Sequence, residues 1–298
     1  MNTLSLGFYG NILRILKLGE TKQIISKDEI ALSFNIHDDL YQKKDNDDLM
    51  NEFSDSINNV LNYDGYEPLI AGVLIDTGQT FLNVFPVDFN EEPNSINSHF
   101  LWELSNYFPD TYKNFNIKYY RLQNSFSNEK IDEALLIAID KNKIELIKNL
   151  CNAGNIKIRN IDIDQFAVEK CLKENHQDKI KDKSILIIGC KNSRLDFSLI
   201  INEKLKHYDY ENFDGDNFKT FLVNQINLLN STSIENKIGK IFLYGEEAVF
   251  RVRKFLAEQF GNIDTEFITV SENDDTRFSP LYGLALKMFD SSFVKTEK

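Results

Sequence analysis

The 298 residues carry 34 Lys and Arg against 46 Asp and Glu, a net charge of −12, with 42% hydrophobic and 27% charged side chains. This is the balance of a soluble globular chain, long enough for two ordinary domains or one bilobed unit. Its acidity argues against a nucleic-acid backbone as partner, because phosphate binding needs a local basic excess.

Cys151, Cys171 and Cys190, like His37, His99, His176 and His207, are scattered without metal-ligand spacing, so neither a disulfide framework nor a metal site is expected. The chain does not open on a basic segment followed by an apolar one, and no run reaches 18 apolar residues. A cytoplasmic protein without direct membrane insertion is expected.

Residues 3–18 read as two strands joined by a turn at Gly7 to Asn11, and Ile24-Ile25 and Ile30 to Ile36 continue the sheet, the second with alternating apolar residues. Asp45 to Asp48 cap a helix whose Leu49, Phe53, Ile57, Val60 and Leu61 recur at helical spacing. Leu69 to Ile75 and Thr80 to Pro86 read as strands, with Asp76 to Gly78 between them as a hairpin turn. A polar loop leads to a helix over 95–107 with an apolar face of Phe100, Leu101, Leu104, Tyr107 and Phe108.

Strands follow at 117–122 and 133–139, then a helix from Lys141 to Cys151 stopped at Gly154 in a left-handed conformation. A strand over 156–161 and a helix over 165–174 precede a charged linker, 175–183, whose Asp178 and Asp182 offset its lysines. The strand–turn–strand layout of the N-terminus then restarts at Ser184. Beyond it the pattern predicts a strand over 204–209, a helix over 217–229 and a strand over 238–244. It continues with a helix over 247–260, a strand over 267–270, a helix over 280–289 and a frayed tail from Ser291. Strands alternating with helices make this an α/β chain.

Several residues invite a catalytic reading that their context weakens. Asp162 and Asp164 stand where acidic caps are ordinary, and Glu246 and Glu247 suit the dipole of the helix they open. Ser193 has no histidine placed by the sequence to activate it. The aromatic run Phe81, Phe85, Phe100, Trp102, Tyr107, Phe108, Tyr119 and Tyr120 reads mostly as core, with an exposed partner groove as the alternative.

Four segments carry a family resemblance. Ile161-Asp-Ile-Asp-Gln-Phe-Ala-Val-Glu-Lys-Cys-Leu172, the helix end Leu146 to Gly154, Trp102-Glu-Leu-Ser-Asn-Tyr-Phe-Pro109 and Pro280-Leu-Tyr-Gly-Leu-Ala-Leu-Lys287 occur in that family's order and spacing. Together they resemble the PilM-like family of type IV pilus assembly, and more loosely the cell-division actin FtsA and the cytoplasmic part of the type II secretion L protein. The resemblance implies a two-lobed, actin-like (ribonuclease H-like) α/β fold with a small α/β subdomain inserted in the first lobe. The implied boundaries are 1–79 and 156–182 for the first lobe, 80–155 for the inserted subdomain and 183–298 for the second lobe. Only 22 residues separate Phe218 from Ile241, so the second lobe is reduced.

The departures from the family are chemical. Its ATPases place Asp-x-Gly in the first turn, where a carboxylate holds hydrated magnesium near the phosphates. The matching positions here are Phe8, Tyr9 and Gly10, and in the second turn Ile187, Ile188 and Gly189. The adenosine loop, usually glycine-rich, is Gly245-Glu246-Glu247-Ala248, and Asp214-Gly215 replaces a Gly-Gly pair. Gly10, Asn11, Gly189, Asn192 and Gly245 remain as vestigial phosphate-loop positions, consistent with tight turns.

The expectation is therefore a pseudo-ATPase without cofactor, neither ATP nor Mg²⁺. It would act as a scaffold binding the cytoplasmic N-terminal segment of a single-span membrane protein, which would recruit it to the inner membrane face. By resemblance, the inserted subdomain and the first lobe would form the groove, near Phe85, Phe100, Trp102 and Tyr107, a sheet edge with apolar pockets holding an extended peptide. Two alternatives stand beside it: an actin-like pseudoenzyme outside the pilus system, and a weak ATP binder with non-standard loops. Homo-oligomerisation is left open.

Overall fold

The computed structural model describes residues 3–35, 47–62, 67–122, 132–180, 183–215, 217–231, 237–246, 248–270 and 275–293. The chain divides into two compact units: Met1–Thr80 with Ile139–Cys171 and Phe278–Lys298, and Phe81–Ala138 with Leu172–Arg277.

The first unit is built on β1 (Thr3–Tyr9), β2 (Ile12–Leu18), β3 (Ile24–Ala31), β4 (Leu69–Ile75) and β8 (Ile156–Ile163), in the order β3-β2-β1-β4-β8. β1, β4 and β8 run parallel, and β2 and β3 are antiparallel to their neighbours. β1 and β4 are largely buried on both sides because both sheet faces are covered. On one face, α1 (Asp47–Leu61) and α3 (Lys141–Ala153) bury Phe53, Ile57, Leu146 and Leu150 against Leu4, Leu6, Phe8, Val73 and Ile75. On the other, α8 (Ser279–Phe293) packs against β1, β2 and β4.

Two glycines allow α8 to come so close. A Cβ at Gly72 would run into Leu284 and Met288, and one at Gly283 into the carbonyl of Ala167. The Ser5 hydroxyl donates to Leu281 O at 2.8 Å, and Lys287 Nζ donates to Asp162 Oδ2 at 2.6 Å and Phe166 O at 2.8 Å. The C-terminal helix thus belongs to the first unit rather than to the expected 183–298 lobe.

The second unit repeats that topology. β9 (Ser184–Cys190), β10 (Arg194–Ile201), β11 (Lys204–Asn212), β12 (Lys240–Gly245) and β13 (Asp264–Phe267) lie in the order β11-β10-β9-β12-β13. α6 (Phe218–Ser231) and α7 (Ala248–Gln259) cover one face with Phe218, Leu222, Ile226, Val249, Val252 and Leu256. A third sheet, ordered β5 (Phe81–Pro86), β7 (Glu133–Asp140) and β6 (Phe115–Leu122), packs under α2 (Pro93–Tyr107). Although inserted in sequence between β4 and β8, its strands over 81–138 group with the second unit, where β6 touches β11 and His207 feels the charge of Glu133. The mixed α/β architecture is as the sequence predicts; the unit boundaries are not. Residues 139–153, expected in the inserted subdomain, form α3 of the first unit.

Other local expectations shift for physical reasons. Asp76 to Gly78 is not a hairpin, because β4 and β5 lie in different sheets; Asp76 Oδ1 accepts from Gly78 N at 2.8 Å and caps a short 3-10 turn. β3 is one continuous strand ending at Ala31, and Ile36 lies outside the described residues, as do Asp45 and Asn46. Gly154 closes α3 at φ −80°, and the left-handed residue is Asn155, at φ +51°. β13 starts at Asp264 rather than Phe267, since its pairing with β12 begins where Lys240 bonds the Asp264 carboxylate. α8 continues to Phe293.

Candidate functional site

The first turn joins β1 to β2. Tyr9 and Ile12 close it as a cross-strand pair, with Gly10 at φ +64° and Asn11 between them. Glycine at the first central position is what such a two-residue turn requires. A Cβ there would meet only Asn35, at 3.8 Å, so conformation and not crowding accounts for Gly10. Phe8 is 1% exposed, its ring 6.0 Å from that of Phe53. Beside the turn, Arg14 is buried with Nε 2.7 Å from Glu29 Oε2 and its guanidinium over the Tyr9 ring.

The second turn corrects the expected alignment. Gly189 is not in it: it lies within β9, opposite Asp196 of β10 and Tyr244 of β12. The turn is Asn192-Ser193, closed by Lys191 N donating to Arg194 O at 2.9 Å. Gly7 pairs with Arg14 as Gly189 pairs with Asp196, so the counterparts of Phe8, Tyr9 and Gly10 are Cys190, Lys191 and Asn192. The first of these is again a buried side chain without a carboxylate. Burial, then the charge of Asp196, pushes the Cys190 thiol up, and burial takes Cys151 up to about 12, so neither is a reactive thiolate.

Sequence reasoning missed the carboxylate that this hairpin does hold. Asp196 is 0% exposed and accepts from Arg194 Nε at 2.9 Å and Tyr208 OH at 2.7 Å, with Lys191 Nζ at 3.7 Å. Arg194 also donates to Tyr208 OH at 3.1 Å and stacks 3.8 Å over the Tyr210 ring. Burial alone would lower the Arg194 pKa; Asp196 and Tyr208 outweigh it and hold the guanidinium charged. Burial and the Asp196 charge push the Tyr208 phenol well up. The charge of this carboxylate is matched by Arg194 within its own sheet. The signal was present: Arg194 and Asp196 alternate with Leu195 and Phe197 in a strand buried on both faces.

In the third loop Gly245 adopts φ +120° and lies so close to β9 that a Cβ would collide with the Cys190 carbonyl. Glu246 N donates to that carbonyl at 2.8 Å, and the Thr276 hydroxyl donates to Gly245 O at 2.8 Å. Strand packing explains this glycine without any ligand. Glu247 lies outside the described residues. The pair Asp162 and Asp164 does structural work: Asp164 Oδ1 accepts from Thr77 N at 3.2 Å and Gln165 N at 2.8 Å, and Asp162 holds Lys287. Among the described residues no group of three His, Cys, Asp or Glu could hold a metal ion.

The inserted sheet separates the four aromatic candidates. Phe85 of β5 and Phe100 of α2 are both buried in the core between the sheet and that helix. Trp102 is 60% exposed and Tyr107 51%. The Tyr107 ring rests on Phe81 and Phe85, and its hydroxyl accepts from Asn83 Nδ2 at 2.8 Å. His99 stacks on Trp102 and donates from Nε2 to Pro86 O at 3.0 Å. An open cleft of about 630 Å³ adjoins His99 at the end of β5. No described helix is long and apolar enough to cross a membrane.

The family model of type IV pilus assembly protein PilM matches residues 11–251, most of the chain. No curated protein matches the sequence. Among solved structures, the PilM–PilN type IV pilus biogenesis complex matches with a TM-score of 0.69 at 12% identity, over 96% of this chain and 98% of that one. The cytoplasmic domain of EpsL, an inner membrane component of the type II secretion system of Vibrio cholerae, matches at 0.52 and 7% identity, over 96% and 95%. A Bacteroides thetaiotaomicron protein with an actin-like ATPase fold and unknown function matches at 0.51 and 10% identity, over 89% and 90%. At these identities the likeness is one of fold, and that fold is actin-like.

Proposed function

Because this chain belongs to the family of type IV pilus assembly protein PilM, we propose that it is a non-catalytic, actin-like scaffold of a pilus assembly that holds a segment of a protein partner. The observation that carries the first half is Phe8, a core residue where an ATPase of this fold needs a carboxylate. Three further features agree. The second hairpin has Cys190 at the same place, Asp196 is saturated by Arg194 and Tyr208, and Glu246 puts a negative charge at the adenosine loop. Hydrated Mg²⁺ prefers oxygen ligands, and apolar side chains supply none.

The second half draws on the match to a complex in which PilM is seen with PilN. On this reading the partner is a membrane protein's cytoplasmic segment, the scaffold is cytoplasmic, and it reaches the inner membrane face through that partner. Trp102 and Tyr107 on α2 are the exposed aromatic anchors available for such a contact in the inserted sheet's subdomain.

Phosphate release from Mg-ATP tests the first half: turnover no faster than a heat-denatured control is expected, and stoichiometric, saturable turnover would sink it. Trp102 is the chain's single tryptophan, so its emission reports the second half directly. Titration with the cytoplasmic segment of a single-span protein from the same pilus gene cluster is expected to shift that emission, and W102A to weaken binding. An unmoved emission with no binding by any other readout contradicts the docking reading.

A further inference from the structure

The cleft beside His99 has an apolar floor of Pro86, Val87 and Ile96. Asp88 and Glu91, from the β5–α2 connection, and Asp132, just before β7, line it together with Asn90, Ser95 and His99. No Lys or Arg lines it among the described residues. Asp88 accepts from Asn90, a neutral partner, and among the described residues Asp132 is the one of the three that meets a cation, Arg121 at 2.7 Å. Placing Glu91 before the α2 N-terminus suits the helix dipole, but Asp132, on a different element, has no such explanation.

The volume, about 630 Å³, is within the range of binding pockets and large enough for more than one side chain. β5 is an edge strand of its sheet, which would ordinarily invite a pairing strand. Here the chain itself has blunted that edge. Val84 N donates to Asn83 Oδ1 at 2.9 Å, Pro86 has no N–H, and Pro86 O accepts from His99. An occupant is therefore read through side chains seated in the cleft rather than through a main-chain ladder.

We infer that this cleft takes an extended peptide bearing Lys or Arg, its cationic heads on Asp88, Glu91 and Asp132 and its aliphatic stems on Pro86, Val87 and Ile96. This rests on the docking reading above and adds the chemical class of the segment docked. The class fits a segment adjoining a membrane span, because such cytoplasmic segments carry an excess of Lys and Arg. Long basic side chains match an apolar floor with a charged rim, since they bury the stem and keep the charge at the surface.

The test titrates fluorescein-labelled peptides of about ten residues, alike in apolar content but carrying no, few or several lysines, onto the full chain. Affinity is expected to rise with lysine content, each pair contributing up to about fivefold, and to fall between about 50 and 200 mM salt. The isosteric variant D88N/E91Q/D132N, checked for an unchanged circular dichroism spectrum, is expected to lose that dependence on charge. Equal affinity across the series, preference for glutamate-bearing peptides, or an unaffected variant would overturn the inference. Binding without charge dependence leaves the docking reading standing, whereas no binding by any peptide removes both. The salt dependence of the unmodified chain keeps the test valid if the variant fails to fold.

Discussion

Replacing Arg194 by alanine is expected to destabilise the second unit by about 3–5 kcal/mol, because it strands a buried charge. Asp196 is fully buried, and Arg194 is its nearest cation, bonded through Nε at 2.9 Å. After the substitution the carboxylate keeps the Tyr208 hydroxyl at 2.7 Å and Lys191 at 3.7 Å, which places the cost toward the lower end, about 3 kcal/mol. The lost stacking on Tyr210 adds about 0.5–1 kcal/mol. Against a typical domain stability of about 5–15 kcal/mol this is a large fraction. Tyr208→Phe removes one hydrogen bond and is expected to cost less, about 1–2 kcal/mol. Replacing both charges with apolar residues, R194M/D196L, should recover most of the loss, since well-packed apolar groups substitute for a buried pair at little net cost. Urea denaturation followed by circular dichroism measures all three. An R194A cost under about 1 kcal/mol, or a double variant worse than R194A, would refute the claim that the pair is a closed, self-neutralising unit.

Gly283→Ala drives a Cβ into the Ala167 carbonyl and is expected to cost about 1–3 kcal/mol or more, read as a lower urea midpoint; an unchanged midpoint would mean that α8 does not pack there. Stability should also fall on mild acidification. His176 has both ring nitrogens buried without a hydrogen-bond partner, and burial, then Lys179, holds its pKa below 6.5 despite Glu266. His207 is held down mainly by burial, against the pull of Asp209 and Glu133. The unfolded chain therefore takes up these protons first, so the contribution is complete above about pH 6.5 and is lost as pH falls from there toward the folded values. Thermal midpoints between about pH 7.5 and 5.5 check this, and H176L should flatten the decline; a midpoint that rises on acidification contradicts it.

Much of the scaffold was legible because β4, β9 and β12 are mainly apolar runs bounded by turn residues, and the helices between them keep a regular apolar stripe. What the pattern could not carry is which sheet a strand joins. Asp76 to Gly78 looks like a hairpin because its flanks are both strands, yet those strands bond to different partners. Gly189 looks like a turn residue because a glycine closes an apolar run, and only the cross-strand register moves the turn to Asn192-Ser193. Phe85 and Phe100 cannot be told from Trp102 by residue type; burial between α2 and its sheet separates them. Phe8 was legible as an apolar residue beside the first turn, and so was the Arg194–Asp196 alternation in β10, but the pairing of Asp196 with Tyr208 was not, since only the β10–β11 ladder brings that hydroxyl alongside.

The central claim, an actin-like scaffold without nucleotide chemistry, is tested most directly by calorimetric titration of the full chain with Mg-ATP. The account predicts no saturable heat and no change in the thermal midpoint. Stoichiometric binding with micromolar affinity would contradict it.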